Sequence, residues 1–160
     1  MSHPSRVLIL RHGEKPVTGP YLSMKGYERS GALAWAIPAL LEPDDIFAST
    51  SSAHSNRPVE TLTPLADRLN ADVNEDFADE DFAKLAELLL TDTHYEHEKI
   101  VICWHHGRIP ALAAALGATD APDKWDDEVF DRFWLLVYEK EGKVKFFDMP
   151  QRLLFGDSER

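Results

Sequence analysis

The chain has 160 residues, 44% of them hydrophobic and 28% charged; at this length folding buries roughly 70% of the surface an unfolded chain exposes, so one domain over 1–160 is expected. Its 17 Lys and Arg stand against 28 Asp and Glu, and the net charge of −11 repels phosphate backbones and anionic lipid heads, which argues against nucleic-acid and membrane partners. The single cysteine, Cys103, excludes an internal disulfide, and no apolar run suffices for a membrane span or a signal segment, so a cytoplasmic location is expected.

Arg6–Leu10 is a short Val/Leu/Ile run that stops before Gly13 and reads as a buried strand. Ser23 is placed to cap a helix over about Met24–Leu41, with Leu33, Ala34, Ile37, Leu40 and Leu41 on one face. Pro38 is expected to kink or break that helix. Asp45–Ala48 is a second strand. A Ser/Thr/His/Asn loop follows, and Pro58 then opens a helix in which Val59, Leu62, Leu65, Ala66 and Leu69 recur at helical spacing. Asp72–Phe77 is a short-strand candidate, with a helix after it over about Glu80–Leu90. Lys99–Trp104 is the strongest strand and runs into His105-His106-Gly107; the helix behind it, Ile109–Leu116, ends at Gly117. Arg132–Tyr138 and Lys143–Phe147 flank Glu-Lys-Glu-Gly as an antiparallel pair. Alternating strands and helices, with continuously apolar strands, predict an α/β domain: a mostly parallel sheet covered on both faces, in three layers.

Open α/β sheets bind ligands beyond the carboxyl ends of their strands. Two segments place unusual residues there: Arg11-His12-Gly13-Glu14-Lys15 after the first strand, and His105-His106-Gly107-Arg108 after Trp104. Histidines beside glycines, with a helix start close behind, suit an anion. Two further segments complete a pattern, Leu22-Ser23-Met24-Lys25-Gly26-Tyr27-Glu28-Arg29 and Arg57-Pro58-Val59-Glu60-Thr61-Leu62-Thr63-Pro64-Leu65-Ala66. Four motifs in this order, covering about Val7–Gly117, resemble the histidine phosphatase superfamily, whose fold is phosphoglycerate-mutase-like.

The resemblance implies a metal-independent phosphoric monoester hydrolase acting on phosphomonoesters or phosphohistidine, with a small phosphorylated molecule or a phosphoprotein as substrate. His12 would be the nucleophile that becomes phosphohistidine, with its second ring nitrogen donating to a backbone carbonyl. Arg11 and Arg57 would clamp the phosphoryl oxygens. Of the His105-His106 doublet only one ring can face the phosphate, because adjacent strand residues point to opposite faces; the family's His-Gly pair assigns His106. The general acid is assigned to Glu75, with Asp79, Glu80 and Asp81 as competitors. An acid directly after the second histidine, as in the acid phosphatase branch, is disfavoured because Gly107 stands there. No cofactor is implied, since two arginines and a second histidine supply the neutralisation that Mg²⁺ gives elsewhere.

Three other readings stay open. A phosphoglycerate-mutase-type phosphotransferase is disfavoured because the chain is too short for large lid insertions. A phospho-ligand-binding module would keep the pocket without a competent acid. A metal-dependent hydrolase would use the histidines, but His94 and His97 have no Cys or Asp partner and read as a solvated turn. Lys15 and His54 read as exposed loop residues that could line the pocket mouth, Cys103 as a buried small hydrophobe, and Trp104, Trp125, Phe133 and Trp134 as packing. Gln151-Arg152-Leu153-Leu154 could pack back on the domain, and nothing in the sequence sets an oligomeric state. The acidity is concentrated: residues 71–98 hold ten acids and one base, Lys84. That segment is expected beside the pocket, where it would make large polyanions poor substrates.

Overall fold

The computed structural model describes residues 2–160. Strands β1 (Arg6–Arg11), β2 (Asp45–Ala48), β3 (Val73–Asn74), β4 (Lys99–Trp104), β5 (Arg132–Tyr138) and β6 (Val144–Pro150) form one sheet in the order β3-β2-β4-β1-β5-β6. The first four in that order run parallel, and β5 is antiparallel to both β1 and β6. Helices α1 (Met24–Leu40) and α2 (Arg57–Leu69) cover one face; α3 (Phe82–Thr91) and α4 (Ile109–Ala115) cover the other.

Period-two alternation divides the core into two. Leu8, Leu10, Ile46, Ala48, Val101 and Cys103 face Leu33, Ile37, Leu62 and Leu65 of α1 and α2. Val7, Ile9, Phe47, Ile100, Ile102 and Trp104 face Leu85, Leu89, Ile109 and Leu112 of α3 and α4. Both faces of the parallel strands are thus buried, which is why they read as unbroken apolar runs. Truncating one of these leucines to alanine costs about 2–5 kcal/mol in such a setting.

Local chemistry sets the helix ends. Ser23 caps α1 by accepting the Gly26 N–H at 3.1 Å, a contact worth about 1 kcal/mol. Pro38 does not break α1; it lies in the last turn and the helix stops at Leu40, which is exposed and not on the buried face. The Asp72–Phe77 segment pairs only through Val73 and Asn74, as a two-residue edge strand. Asp79–Asp81 form a 3₁₀ turn that leads into α3.

Two features of the sheet decide what meets at its carboxyl edge. Arg11 pairs with Trp104, and Ala48 with Cys103, so the residues just past β1, β4 and β2 (His12, His105 and Ser49) emerge side by side. Because β5 runs the other way beside β1, the residues preceding Arg132 arrive at this same edge.

Candidate active site

His12 lies one residue past β1 and is 2% exposed. Its Nδ1 is 2.7 Å from the Gly13 carbonyl, which can only accept, so Nδ1 carries the proton and Nε2 keeps a free lone pair. Burial lowers its pKa to about 2, and the neighbouring His105, Arg11 and Arg57 push in the same direction. The ring is therefore neutral at every pH at which a free histidine titrates.

Arg11 is fully buried. Its Nη1 donates to the carbonyls of Asp127 at 2.6 Å and Val129 at 3.1 Å, and the Phe130 ring stacks under the guanidinium at 3.8 Å. Its Nε and Nη2 are buried with no partner. These are the two parallel donors of one guanidinium edge, the fork that matches two oxygens of a phosphoryl group. Burial lowers this guanidinium to about 10, still charged at neutral pH.

Arg57 begins α2. Its Nη1 donates to the Gly19 carbonyl at 2.9 Å, and its Nε is also buried and unpartnered. Thr61, one turn on, donates to the Arg57 carbonyl at 2.7 Å and accepts the Gly13 N–H at 2.9 Å. The first turn of α2 is thereby bolted to the turn after His12. The polypeptide closes tightly here, for a Cβ on Gly13 would sit 2.9 Å from the Gly26 carbonyl, and one on Gly26 2.3 Å from the Glu14 carbonyl.

His105 packs edge-on against His12, with ring centroids 5.2 Å apart. Burial lowers its pKa, partly offset by the nearby Asp79 carboxylate. Asp79 has Oδ1 buried without a partner, while Oδ2 accepts from Arg108 Nε at 3.3 Å. Its backbone is held by the Trp104 indole, which donates to the Asp79 carbonyl at 2.9 Å. Ser49, fully buried at the end of β2, has an unpartnered hydroxyl as well. Among the described residues six buried side-chain polar atoms lack a partner, and five belong to Arg11, Ser49, Arg57 and Asp79. Each such atom costs about 1–3 kcal/mol unless something polar meets it, so the carboxyl edge offers three guanidinium donors, a hydroxyl and one carboxylate oxygen to a polar partner.

No family model and no curated protein sequence matches this chain significantly. Among solved structures, the protein histidine phosphatase SixA in complex with tungstate is similar at 17% identity and TM-score 0.64, over 91% of this chain and 97% of that one. A mycobacterial glucosyl-3-phosphoglycerate phosphatase with inorganic phosphate is similar at 17% identity and TM-score 0.57, over 91% and 95%. A phosphoglycerate mutase from Plasmodium falciparum is similar at 14% identity and TM-score 0.61, over 96% and 94%. The chain has the phosphoglycerate-mutase-like α/β fold.

On this phosphoglycerate-mutase-like fold the residues expected from sequence fall in two groups. Arg11, His12 and Arg57 come together at the carboxyl edge of the sheet. Glu75 does not join them, and His106 stands at their margin, within reach of the Arg11 charge but without a contact to the His12 ring. His106 turns instead toward a cavity of about 310 Å³ that it lines with Lys124, Trp125 and Asp127. Both histidines lie past the end of β4, in the turn that leads to α4, so strand alternation does not choose between them; Arg11 pairs with Trp104, and it is the next residue, His105, that packs on His12. Glu75 is exposed and lines a groove at the sheet margin with Asp44, Asp45 and Asp72. Of the competing acids, Asp79 is the one whose carboxylate acts on His105. Phe130 and the carbonyls of Asp127 and Val129 were not legible, because only the reversed direction of β5 brings them to Arg11. Lys15 is exposed, as expected of a loop residue, and so is His54. Residues 94–97 form a surface turn, and no group of His, Cys, Asp and Glu suited to a metal occurs among the described residues.

Proposed function

We propose that this chain is a phosphatase that hydrolyses phosphomonoesters or phosphohistidine through a phosphohistidine on His12. The observation that carries the reading is the buried, neutral His12 ring. Its proton is committed to Gly13, and the unpartnered donors of Arg11 and Arg57 occupy the same edge of the sheet. In the first step the Nε2 lone pair attacks phosphorus and the phosphorus–oxygen bond to the leaving group breaks. Arg11 and Arg57 take up charge on the phosphoryl oxygens, and His105 assists at the same group. Asp79, in its protonated form, gives the leaving oxygen its proton. In the second step a water attacks phosphorus, the nitrogen–phosphorus bond breaks, and Asp79 takes the water's proton, which returns His12 to its starting form.

The similar structures include phosphatases named for protein phosphohistidine and for glucosyl-3-phosphoglycerate, which supports phosphoryl hydrolysis as the reaction class. Chain size does not separate hydrolase from mutase, because the similar mutase is matched over 94% of its own length. One observation favours a second reading, a phospho-ligand-binding module: the Asp79 carboxylate that would serve as the acid is already paired with Arg108, Oδ2 accepting from Nε at 3.3 Å. Brief exposure to an aryl phosphate, acid-avoiding mass spectrometry and a His12→Ala control separate the two. Phosphate on His12 in the wild type alone is the expected result. Tight tungstate binding with no adduct would establish the binding module, and neither binding nor adduct would overturn both.

A further inference from the structure

The last ten residues carry no helix or strand, yet part of this segment is buried under α1. Arg29 of α1 is 1% exposed and uses all five of its N–H donors. Two go to Glu14, Nε to Oε1 at 2.9 Å and Nη2 to Oε2 at 2.8 Å. Two go to Asp157, Nη2 to Oδ1 at 2.8 Å and Nη1 to Oδ2 at 2.9 Å. The fifth reaches Gln151 Oε1 at 3.0 Å. The Asp157 carboxylate is itself held in place, because its Oδ2 also accepts the N–H groups of Leu153 and Leu154 and so closes the turn that presents it.

Both ends of this arrangement touch the His12 site. Glu14 follows Gly13, whose carbonyl holds the His12 Nδ1 proton, so the Gly13–Glu14 peptide that sets the tautomer is anchored through the Glu14 carboxylate. On the other side the Gln151 N–H donates to the Asp131 carbonyl at 2.8 Å and the Ser158 N–H to Asp131 Oδ2 at 2.7 Å. Asp131 follows Phe130, the ring beneath Arg11. The segment therefore ties the turn after His12 to the wall that holds Arg11.

We propose that Asp157 is a positioning residue of the His12 site, acting through Arg29 and Glu14 on the Gly13 carbonyl; the kinetic part of this rests on the phosphatase reading. A buried ion cluster is weak evidence for stability, since well-packed apolar groups often serve as well. A cluster that fixes the orientation of a nucleophile has a separate reason to exist, because small misplacements of reacting groups are expensive in rate.

The test compares wild type, Asp157→Asn, Asp157→Glu and, as a tail control, Phe155→Ala, whose ring is fully exposed at the tip of the turn. Nitrogen-15 NMR of the His12 ring reads the tautomer, and p-nitrophenyl phosphate turnover reads kcat and KM separately. Asp157→Asn should replace the single Nδ1–H state of His12 with a mixture and lower kcat roughly tenfold, with KM within about twofold. Phe155→Ala should match wild type in both. Asp157→Glu, which keeps the charge but displaces it by a methylene, should fall between, and it decides the matter if the Asn variant does not fold. A lower melting temperature with the wild-type ring spectrum and kcat in these Asp157 variants would overturn the proposal. Absence of turnover in wild type would sink the phosphatase reading, while the ring spectra would still decide the role of Asp157.

Discussion

At the residue scale, one proton position governs the site. A His12 ring with its proton on Nδ1 keeps a free lone pair on Nε2, as the proposed attack on phosphorus requires, and burial keeps it neutral where an open histidine would be charged. The second ring is where chemistry and pleat have to be separated. His105 and His106 are equivalent in composition, but only His105 stands against His12. With an aryl phosphate substrate, His105→Asn is expected to lower kcat/KM by about 10²–10³, in the range found for single charge-stabilising donors, and His106→Asn by no more than a few-fold. Asp79→Asn in the same assay should hardly affect nitrophenyl esters, whose leaving group needs no proton, and should strongly slow alkyl phosphates. Equal losses for the two histidine variants would return the second role to both. An Asp79→Asn variant insensitive to the leaving group would remove Asp79 from proton transfer.

At the element scale, close approach decides more than propensity. Gly26 lies in the first turn of α1, where alanine ordinarily gains up to about 1 kcal/mol of helix stability. Here a methyl group would meet the Glu14 carbonyl at 2.3 Å and the Leu22 side chain at 3.0 Å. Gly26→Ala should therefore destabilise the fold by about 1–3 kcal/mol, the usual cost of overpacking, as measured by urea unfolding. It should also disturb the turn after His12, because Glu14 and Ser23 share hydrogen bonds at this contact. A stabilised Gly26→Ala protein would mean that α1 and the His12 turn sit further apart.

At the scale of the whole molecule, charge is distributed unevenly and some of it is structural. Of the acidic stretch 71–98, Asp79 alone has its carboxylate acting on the site; Asp72 and Glu75 lie at the sheet margin beside Asp44 and Asp45. The carboxylates acting on Arg11 come instead from Asp127 and Asp126, ahead of β5, and from Glu14, after β1. Burial pushes the Glu14 carboxyl up, but the hydrogen bonds and charge of Arg29 outweigh it, and the Arg29 hydrogen bonds hold Asp157 well below the usual carboxylate range. Carboxylates lowered in the folded state contribute stability that is complete above the unfolded values, roughly 4, and is lost as pH falls through the folded ones. Urea unfolding of wild type should accordingly show stability falling as pH drops below about 7, where the buried, neutral His12 is protonated only in the unfolded chain, and falling more steeply below about 5, where these carboxylates join in. Asp157→Asn should be less stable at neutral pH and show a shallower fall, since one titrating group is gone. Parallel pH profiles would show that the Arg29 cluster contributes nothing to acid sensitivity.

What the sequence determined by itself was whatever depends on neighbours along the chain. The apolar runs at Arg6–Arg11 and Lys99–Trp104, the Ser23 cap and the Arg-His-Gly turn are local, and they were enough to predict the layered α/β fold and to place Arg11, His12 and Arg57. The tertiary structure decided everything that depends on register and strand direction. Which histidine of a doublet meets His12 follows from how β1 pairs with β4, a long-range alignment that no local pattern encodes. Phe130 reaches Arg11 because β5 runs against β1. Asp79, and not Glu75, comes near His105 because β3 ends after two residues and the chain turns before the Asp79 carbonyl is held by the Trp104 indole. Asp157 joins the site because a segment without regular structure still had one buried arginine left to satisfy.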